Sequence, residues 1–563
     1  MSLVYGPTDP PLWEKTLAEL INEQAEKYEE KKAVVIPWQN ASLTYRDLAN
    51  RGVEVARDIL ALGLRPGDCI GILAGNCQEY IEVVMGAGYA GCPLVVLNIN
   101  YTPKELASAV ERTTCKLLFI SSELKDNTMD GHITAVLTST VDGLQVVTLG
   151  NQTVQEGSRL QSFKAFTSTS RPTPQEQSNV ARICAEIKPD DLLNLQFTSG
   201  TTGAPKAAML THRNILNNAR FVGHHLALTP SDTICSPPPL FHCFGLVMGL
   251  LSTLAHGATL VLPSATFSAP ATLAALAQHR CSVLLGVPTM FLAALAALPA
   301  ASPPPPPLRT ALAAGSPVPV PLVRRLRDEL RVGKVLVAYG MTETSPVSFM
   351  TSAREEGGGE VGSLGRVMPH TGAKVVDARG RVVPRGTRGE MCTSGYALMR
   401  GYLGNGVATA EVMRADGEGV VWMHTGDECV IDERGLCWIT GRIKDIIIRG
   451  GENIFPAEIE ERLVAHPLVS EASVVGIRDE KYGETVGCFL RLAKQGERPT
   501  DEEVQEWVRA SLGRHKAPRW VFWIGDAEVG DDYPKTGSGK HQKHILRALG
   551  NTLTKEKSLK ARL

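Results

Sequence analysis

Apolar positions along this chain gather in short dense runs. Residues 69–73 (CIGIL), 93–97 (PLVVL), 116–120 (KLLFI) and 144–149 (LQVVTL) are apolar at nearly every position. Runs of this length fit strands that are covered on both faces. Helical character between them, as at 78–85, predicts strand–helix alternation, the pattern of parallel sheets with crossover helices. A further apolar strand at 192–197 leads into a hydroxyl-rich loop. Residues 151–180 are rich in Ser, Thr and Gln and predict a surface connection. Five consecutive prolines at 303–307 require an extended loop, and 355–359 (EEGGG) predicts another. The stretch 243–262 (CFGLVMGLLSTLAHGATLVL) is the most apolar, but Ser252, Thr253, His256 and Gly257 interrupt it. It reads as a buried helix, a turn at His256-Gly257 and a strand, with no membrane span.

Near residue 441 the pattern changes. Beyond it the chain is more charged and its units are smaller: helices at 457–466 and 501–512, strands at 471–478 and 486–492. About 120 residues with their own strands and helices suffice for a small domain. The expected division is therefore 1–440, a connection at 441–445, and 446–563. No repeat of solenoid length is present.

Composition narrows the classes without naming one. Among 563 residues, 58 Lys+Arg balance 59 Asp+Glu, which argues against a nucleic-acid binder working through a basic face. With 43% apolar and 21% charged residues the chain is ordinary globular material. Twelve cysteines form no CxxC pair, so buried reduced thiols are expected rather than disulfides or zinc. The N-terminal residues MSLVYGPTDPPLWEKT lack the basic and apolar regions of a signal peptide, and the sequons at Asn40, Asn100 and Asn151 then read as chance. The final tripeptide Ala561-Arg562-Leu563 keeps the small–basic–leucine pattern of a peroxisomal address. A peroxisomal import receptor is the partner this implies; without it the expected place is the cytoplasm.

Chemistry concentrates at 193–206 (LNLQFTSGTTGAPK). Thr198, Ser199, Thr201 and Thr202 offer hydroxyls, and Gly200 and Gly203 let the backbone turn and expose its N–H groups. Lys206 adds a charge. A polyphosphate cradle needs these features. The string is not a Walker A loop, since GxxxxGK[ST] is absent.

TSGTTGAPK resembles the phosphate loop of the adenylate-forming (AMP-binding) superfamily: acyl-CoA synthetases, luciferases and non-ribosomal adenylation domains. Other blocks follow in that superfamily's order. Ala314-Gly315-Ser316-Pro317 resembles its adenine segment, Tyr339-Gly340-Met341-Thr342-Glu343 its YGMTE block and His424-Thr425-Gly426-Asp427 its TGD block. Gly441-Arg442-Ile443-Lys444-Asp445 resembles the hinge, and the loop from Ile448 through Gly450, Gly451 and Glu452 to Ile454 is similar to the one after it. Pro534-Lys535-Thr536-Gly537-Ser538-Gly539-Lys540 resembles the catalytic-lysine motif. His541 departs from it, standing where an apolar residue is usual.

The resemblance implies an α/β fold: a large N-terminal domain of sandwiched parallel sheets with helices and a β-subdomain, and a small mobile α+β cap. It implies an ATP-dependent carboxylic acid–CoA ligase that forms acyl-adenylate and pyrophosphate, then acyl-CoA and AMP. Glu343 would hold Mg²⁺, Thr342 would contact the α-phosphate, and Asp427 would accept the ribose hydroxyls. Arg442 would reach ribose or phosphate. Lys540 would meet the carboxylate as it attacks the anionic phosphate. Lys444 would be the hinge, and Gly450, Gly451 and Glu452 would line the path of coenzyme A.

Phe241, His242, Gly245 and Gly315 would border the acyl pocket, with Gly245, Gly249, Gly315 and Gly340 leaving space for a tunnel. The strings LFHCFGLVMGLL and RGGENIFPAEIE look most like the medium-chain acyl-CoA synthetase branch, and so imply a fatty or related aliphatic acid. A ligase loading a carrier protein, a luciferase-like monooxygenase and a catalytically dead nucleotide-binding module are the alternatives; intact Lys206, Glu343, Asp427 and Lys540 argue against the last.

Overall fold

The computed structural model describes residues 1–124, 127–150, 159–167, 174–198, 205–300, 304–356, 359–493, 498–536 and 540–560. Two large sheets form the body. The first has seven strands in the spatial order Leu160–Ser162, Gln145–Leu149, Leu117–Ser121, Ile70–Leu73, Leu94–Val96, Leu192–Thr198, Lys206–Thr211. All neighbours are parallel except the last pair, a hairpin. The second sheet has nine strands. Its six central ones, from Lys32–Ile36 through Thr259–Val261, Thr233–Cys235, Val283–Gly286 and Leu308–Ala314 to Val332–Gly340, run parallel. Its edges are antiparallel.

The two-residue period of a strand explains how both faces are filled. Ile70 and Ile72 point into one buried cluster while Leu73 points into another. The inner cluster is continuous from Ile70, Leu94 and Val96 of the first sheet to Val34, Val283 and Leu312 of the second. Between them lie the helices Leu17–Tyr28, Tyr45–Ala61, Gln78–Ala90 and His212–His225. The last begins where the Thr211 side chain accepts from the Asn214 N–H and the Asn214 side chain accepts from the Thr211 N–H, which satisfies two backbone donors that a helix start leaves open.

Two expectations change. Residues 160–162 form an edge strand, and Phe163–Thr167 and Pro174–Glu186 are helices, so much of 151–180 is ordered structure. Phe163 and Phe166 anchor it, their rings 6.1 Å and 5.4 Å from that of Phe119. The Leu/Met-rich run is a π-helix at Phe244–Leu251 before an α-turn at Ser252–Ala255. The turn and strand that follow are as expected, with Gly257 at φ +65° and a strand at Thr259–Val261. All twelve cysteines are free thiols and ten are buried. Among the described residues no helix is long and apolar enough to cross a membrane.

A third sheet of six strands is antiparallel, built on Thr371–Val376, Gly389–Gly395 and Val421–Ile431, and its last strand is Cys437–Arg442. After a 3-10 turn at Ile443–Asp445, a separate five-stranded sheet begins at Ile447–Arg449. This cap has its own core, with Ile447, Ile459, Val474 and Leu490 all buried.

Candidate active site

Ligands of open α/β sheets gather outside the carboxyl ends of the strands, and most of the expected site residues lie there. Gly315, Ser316 and Pro317 follow Leu308–Ala314, and Met341, Thr342 and Glu343 follow Val332–Gly340. Gly315 has φ +91°, a left-handed conformation that suits glycine. Thr198 and Lys206, which flank the expected phosphate loop, pair in antiparallel strands. Thr198 Oγ1 also donates to the Lys206 carbonyl at 3.3 Å. Ser199, Gly200, Thr201, Thr202 and Gly203 lie outside the described residues.

Lys206, Tyr402 and Glu343 form a chain. The Lys206 ammonium sits 5.0 Å from the Tyr402 ring centre, a cation–π distance. The Tyr402 hydroxyl donates to Glu343 Oε1 at 2.7 Å. Burial and the Glu343 charge push that phenol up, so it stays a donor. The Met399 N–H donates to the Glu343 carbonyl at 2.9 Å. Glu343 is thus a buried carboxylate of fixed orientation. A hard oxygen donor of this kind fits Mg²⁺.

Asp427 lies opposite Arg442 across two paired strands. Its Oδ1 is 3.2 Å from Arg442 Nε, and its Oδ2 accepts from the Tyr339 hydroxyl at 2.6 Å. Burial and then the Asp427 charge raise the Tyr339 phenol. Both oxygens were expected to face ribose; the structure gives each a protein partner, and each retains further acceptor capacity. Glu390 braces the same turn. Its Oε2 bonds His424 Nδ1 at 2.8 Å and its Oε1 accepts from the Gly426 N–H at 3.1 Å. Glu390, Cys392 and His424 are close enough together to hold a metal. Both Glu390 oxygens are already used, however, and burial pushes the Cys392 thiol up to about 12, so the trio reads as a brace.

Lys540 comes from the cap. Burial and the Arg442 charge push its ammonium below the usual lysine range, while Cys243, Asp427 and Glu343 oppose that shift. A cation carried after residue 445 is therefore under the influence of acids and a cation carried before it. His242 shares this space: burial and then Lys540 push its imidazole down to about 3, so it is neutral at ordinary pH. Its Nδ1 accepts from the Phe244 N–H at 3.1 Å. The Phe241 carbonyl accepts from Gln196 Nε2 at 2.7 Å. Cys243 Sγ is 3.8 Å from Thr342 Oγ1, and burial pushes this thiol up to about 11.

The glycines expected to open a tunnel have other reasons to be glycine. A Cβ on Gly340 would lie 1.8 Å from the Pro346 carbonyl oxygen, and one on Gly245 would lie 2.2 Å from that of Pro239. Gly249 faces the Ser236 hydroxyl. Close protein packing, backbone at Gly340 and Gly245 and a side chain at Gly249, fills these positions. Gly450 and Gly451 have φ +58° and +88°. Their partners lie within the cap: the Gly450 N–H donates to the Tyr482 carbonyl at 2.7 Å, and Glu452 is 3.7 Å from His515. A Cβ on Gly451 meets no protein atom within 4 Å, so its backbone conformation is what calls for glycine. The Lys444 carbonyl accepts from Arg547 at 3.5 Å. Tyr402 and Glu390 carry no motif signal, and the sequence reading missed both.

A sandwich of two largely parallel sheets, a hydroxyl-rich loop at a strand end, and a capping domain that delivers a lysine define an adenylate-forming enzyme. Residues 21–403 match the AMP-binding enzyme family and residues 458–540 match the AMP-binding enzyme C-terminal domain. The acyl-CoA ligase sidI of Aspergillus fumigatus is 45% identical over 569 residues, covering 100% of this chain and 95% of its own. The mitochondrial medium-chain acyl-CoA ligase ACSF2 of Bos taurus is 35% identical, covering 97% and 89%. Among solved structures, ATP-bound MatB from Rhodopseudomonas palustris superposes with a TM-score of 0.77 at 26% identity, covering 95% of this chain and 99% of MatB.

The chain belongs to the AMP-binding enzyme family. It is an acyl-CoA synthetase, joining a carboxylic acid to coenzyme A at the expense of ATP through an acyl-adenylate. The carrier-loading and monooxygenase readings are not favoured.

Proposed function

We propose that the Lys540 cluster is the adenylation centre and that the acid activated there is aliphatic. The observation that carries this is that Glu343, Asp427 and Arg442 all act electrostatically on the half-buried Lys540 ammonium. In the first step a carboxylate oxygen attacks the α-phosphorus of ATP and pyrophosphate leaves. Two anions must meet, and a fixed cation at their meeting point stabilises the transition state more than the separated ground state. Thr342 presents its hydroxyl to the α-phosphate, Asp427 and Arg442 hold the ribose, and the loop 198–206 cradles the leaving phosphates. Glu343 would hold Mg²⁺, which when bound neutralises phosphate charge. Neutral His242 borders the carboxylate without adding positive charge to the site.

In the second step the coenzyme A thiolate attacks the acyl carbon and AMP leaves. The division at 441–445, with Lys444 as pivot, lets the cap withdraw Lys540 and bring Gly450 and Gly451 to the thiol's path. Such lid motions gate turnover in many enzymes. Leu246, Val247, Met248 and Leu250, which follow Phe241 and His242 along the chain, are buried, and this apolar run supports an aliphatic acid as substrate. The closing tripeptide Ala561-Arg562-Leu563 supports a peroxisomal address. It lies outside the described residues, and loss of peroxisomal targeting on deleting 561–563 from a fluorescent fusion tests it.

The reaction is tested by incubating the enzyme with ATP, Mg²⁺ and a panel of carboxylic acids, with and without coenzyme A, and detecting AMP and thioester by mass spectrometry. Thioester on medium-length aliphatic acids, dependent on coenzyme A, is expected. AMP release without thioester, or thioester confined to aromatic acids, contradicts the proposal.

A further inference from the structure

Lys540 sits on a loop, and something must hold that loop. Its two described legs, 534–536 and 540–542, run antiparallel and lead into the helix Lys543–Lys560. Lys535 and His541 form an antiparallel bridge across it. Inside the bridge the Thr536 N–H donates to the Lys540 carbonyl at 2.8 Å, and the Lys540 N–H donates to Thr536 Oγ1 at 3.1 Å. Both legs meet a single side chain. Glu471 Oε2 is 2.8 Å from Lys535 Nζ and 3.3 Å from His541 Nε2.

Glu471 is itself fixed. It lies on the strand Val469–Asp479, where it pairs with Arg491 of the neighbouring strand, and its Oε1 is 3.2 Å from Arg491 Nε. The hairpin's approach is fixed as well. Tyr533 is buried in the cap core and its hydroxyl donates to the Phe489 carbonyl at 2.8 Å. The His541 ring stacks on it at 4.1 Å with 10° between planes. The residue that departs from the usual apolar one thus both packs on Tyr533 and bonds to Glu471. Burial alone would raise the Glu471 carboxyl, but the hydrogen bonds from His541 and Lys535 and their charges hold it at about 2. It stays an anion wherever the enzyme works.

We propose that Glu471 is a positioning residue for the first half-reaction: by gripping Lys535 and His541 it sets where Lys540 Nζ stands. The proposal rests on the reading of Lys540 as the adenylation cation. The clamp's own contacts, to Lys535, His541, Arg491 and Tyr533, lie wholly within the cap. Its loss therefore acts on the step that uses Lys540 and spares the step that does not.

The test uses the full chain as Glu471→Gln, which keeps the shape and removes the charge, and as His541→Phe, which keeps the stack and removes one bond. Two rates are read: ATP–pyrophosphate exchange, and thioester formation from supplied acyl-adenylate and coenzyme A. For Glu471→Gln, exchange falls about 10- to 100-fold, the scale of a small misplacement of a catalytic group. His541→Phe gives a smaller fall in exchange. Thioester formation from the supplied intermediate stays near the wild-type rate in both, and also shows that the variants are folded. Equal loss of both rates, or undiminished exchange in Glu471→Gln, overturns the proposal. Lys540→Ala run alongside separates the two claims. If it exchanges normally, the lysine assignment fails; if it does not and Glu471→Gln does, only the clamp fails.

Discussion

Asp427 and Lys540 face the same space but are held there by different means. Asp427 sits within the eleven-residue strand Val421–Ile431, laddered on both sides, with Arg442 opposite it in register. Tyr339 and Arg442 then fix its two oxygens. Lys540 has no such ladder, and its hairpin is pinned through side chains, chiefly by Glu471. A group that stays through both half-reactions can be built into a sheet. On the proposed mechanism Lys540 leaves between them, and a group that does so belongs on a domain that carries its own support. The comparison predicts that damage on the sheet side weakens nucleotide binding throughout, whereas damage on the cap side falls on one half-reaction.

The sharpest break of that comparison is at the pivot. Lys444→Pro should leave pyrophosphate exchange near wild type and slow thioester formation by roughly 10²-fold, because a thiol path misplaced by even a small distance is unproductive. Equal loss of both steps would show that 441–445 is not where the cap turns. A smaller effect is expected at Tyr402→Phe. This removes one hydrogen bond to the buried Glu343 carboxylate, an interaction of about 1.5–3 kcal/mol, and should slow adenylation by roughly tenfold or more while raising the Mg²⁺ concentration needed for half-maximal rate. An unchanged Mg²⁺ requirement would remove Tyr402 from the account.

The pH dependence gives a third contrast. The folded pKa of Lys540 lies below the lysine norm, so in the free enzyme its charge is lost at lower pH than for an ordinary lysine. The alkaline limb of kcat/KM for adenylation should accordingly begin below the usual lysine range and vanish in Lys540→Ala. The smallest effect is on stability. The Glu471 carboxyl is held at about 2 against an ordinary 4.5. Its contribution is fully present above the ordinary value and is lost as pH falls through the folded one. In urea unfolding, the advantage of wild type over Glu471→Gln should shrink between pH 4.5 and 2; a gap that stays constant across that window would contradict the clamp.

What the sequence disclosed follows the same division. The TSGTTG string suggested a phosphate cradle by its own chemistry, whereas the YGMTE and TGD strings were read through their resemblance to a family's blocks. Buried parallel strands such as Ile70–Leu73 and Leu117–Ser121 announced themselves as apolar runs. Supports that act across the fold left no local trace. Tyr402 reaches Glu343 over 59 positions and Glu471 reaches His541 over 70. The π-helix at Phe244–Leu251 was invisible because its composition suits any buried helix. Residues 151–180 were read as a surface connection because their Ser, Thr and Gln content masked Phe163 and Phe166, which anchor the described part of that stretch.

The central claim is that one cation, delivered by the cap, serves adenylation and nothing after it. The most direct measurement is ATP–pyrophosphate exchange by Lys540→Ala, set beside thioester formation by the same variant from supplied acyl-adenylate. Exchange should fall by roughly 10²–10³-fold, the cost of losing one preorganised charge at the transition state, while thioester formation stays close to wild type. Exchange at the wild-type rate, or loss of both activities together, would contradict it.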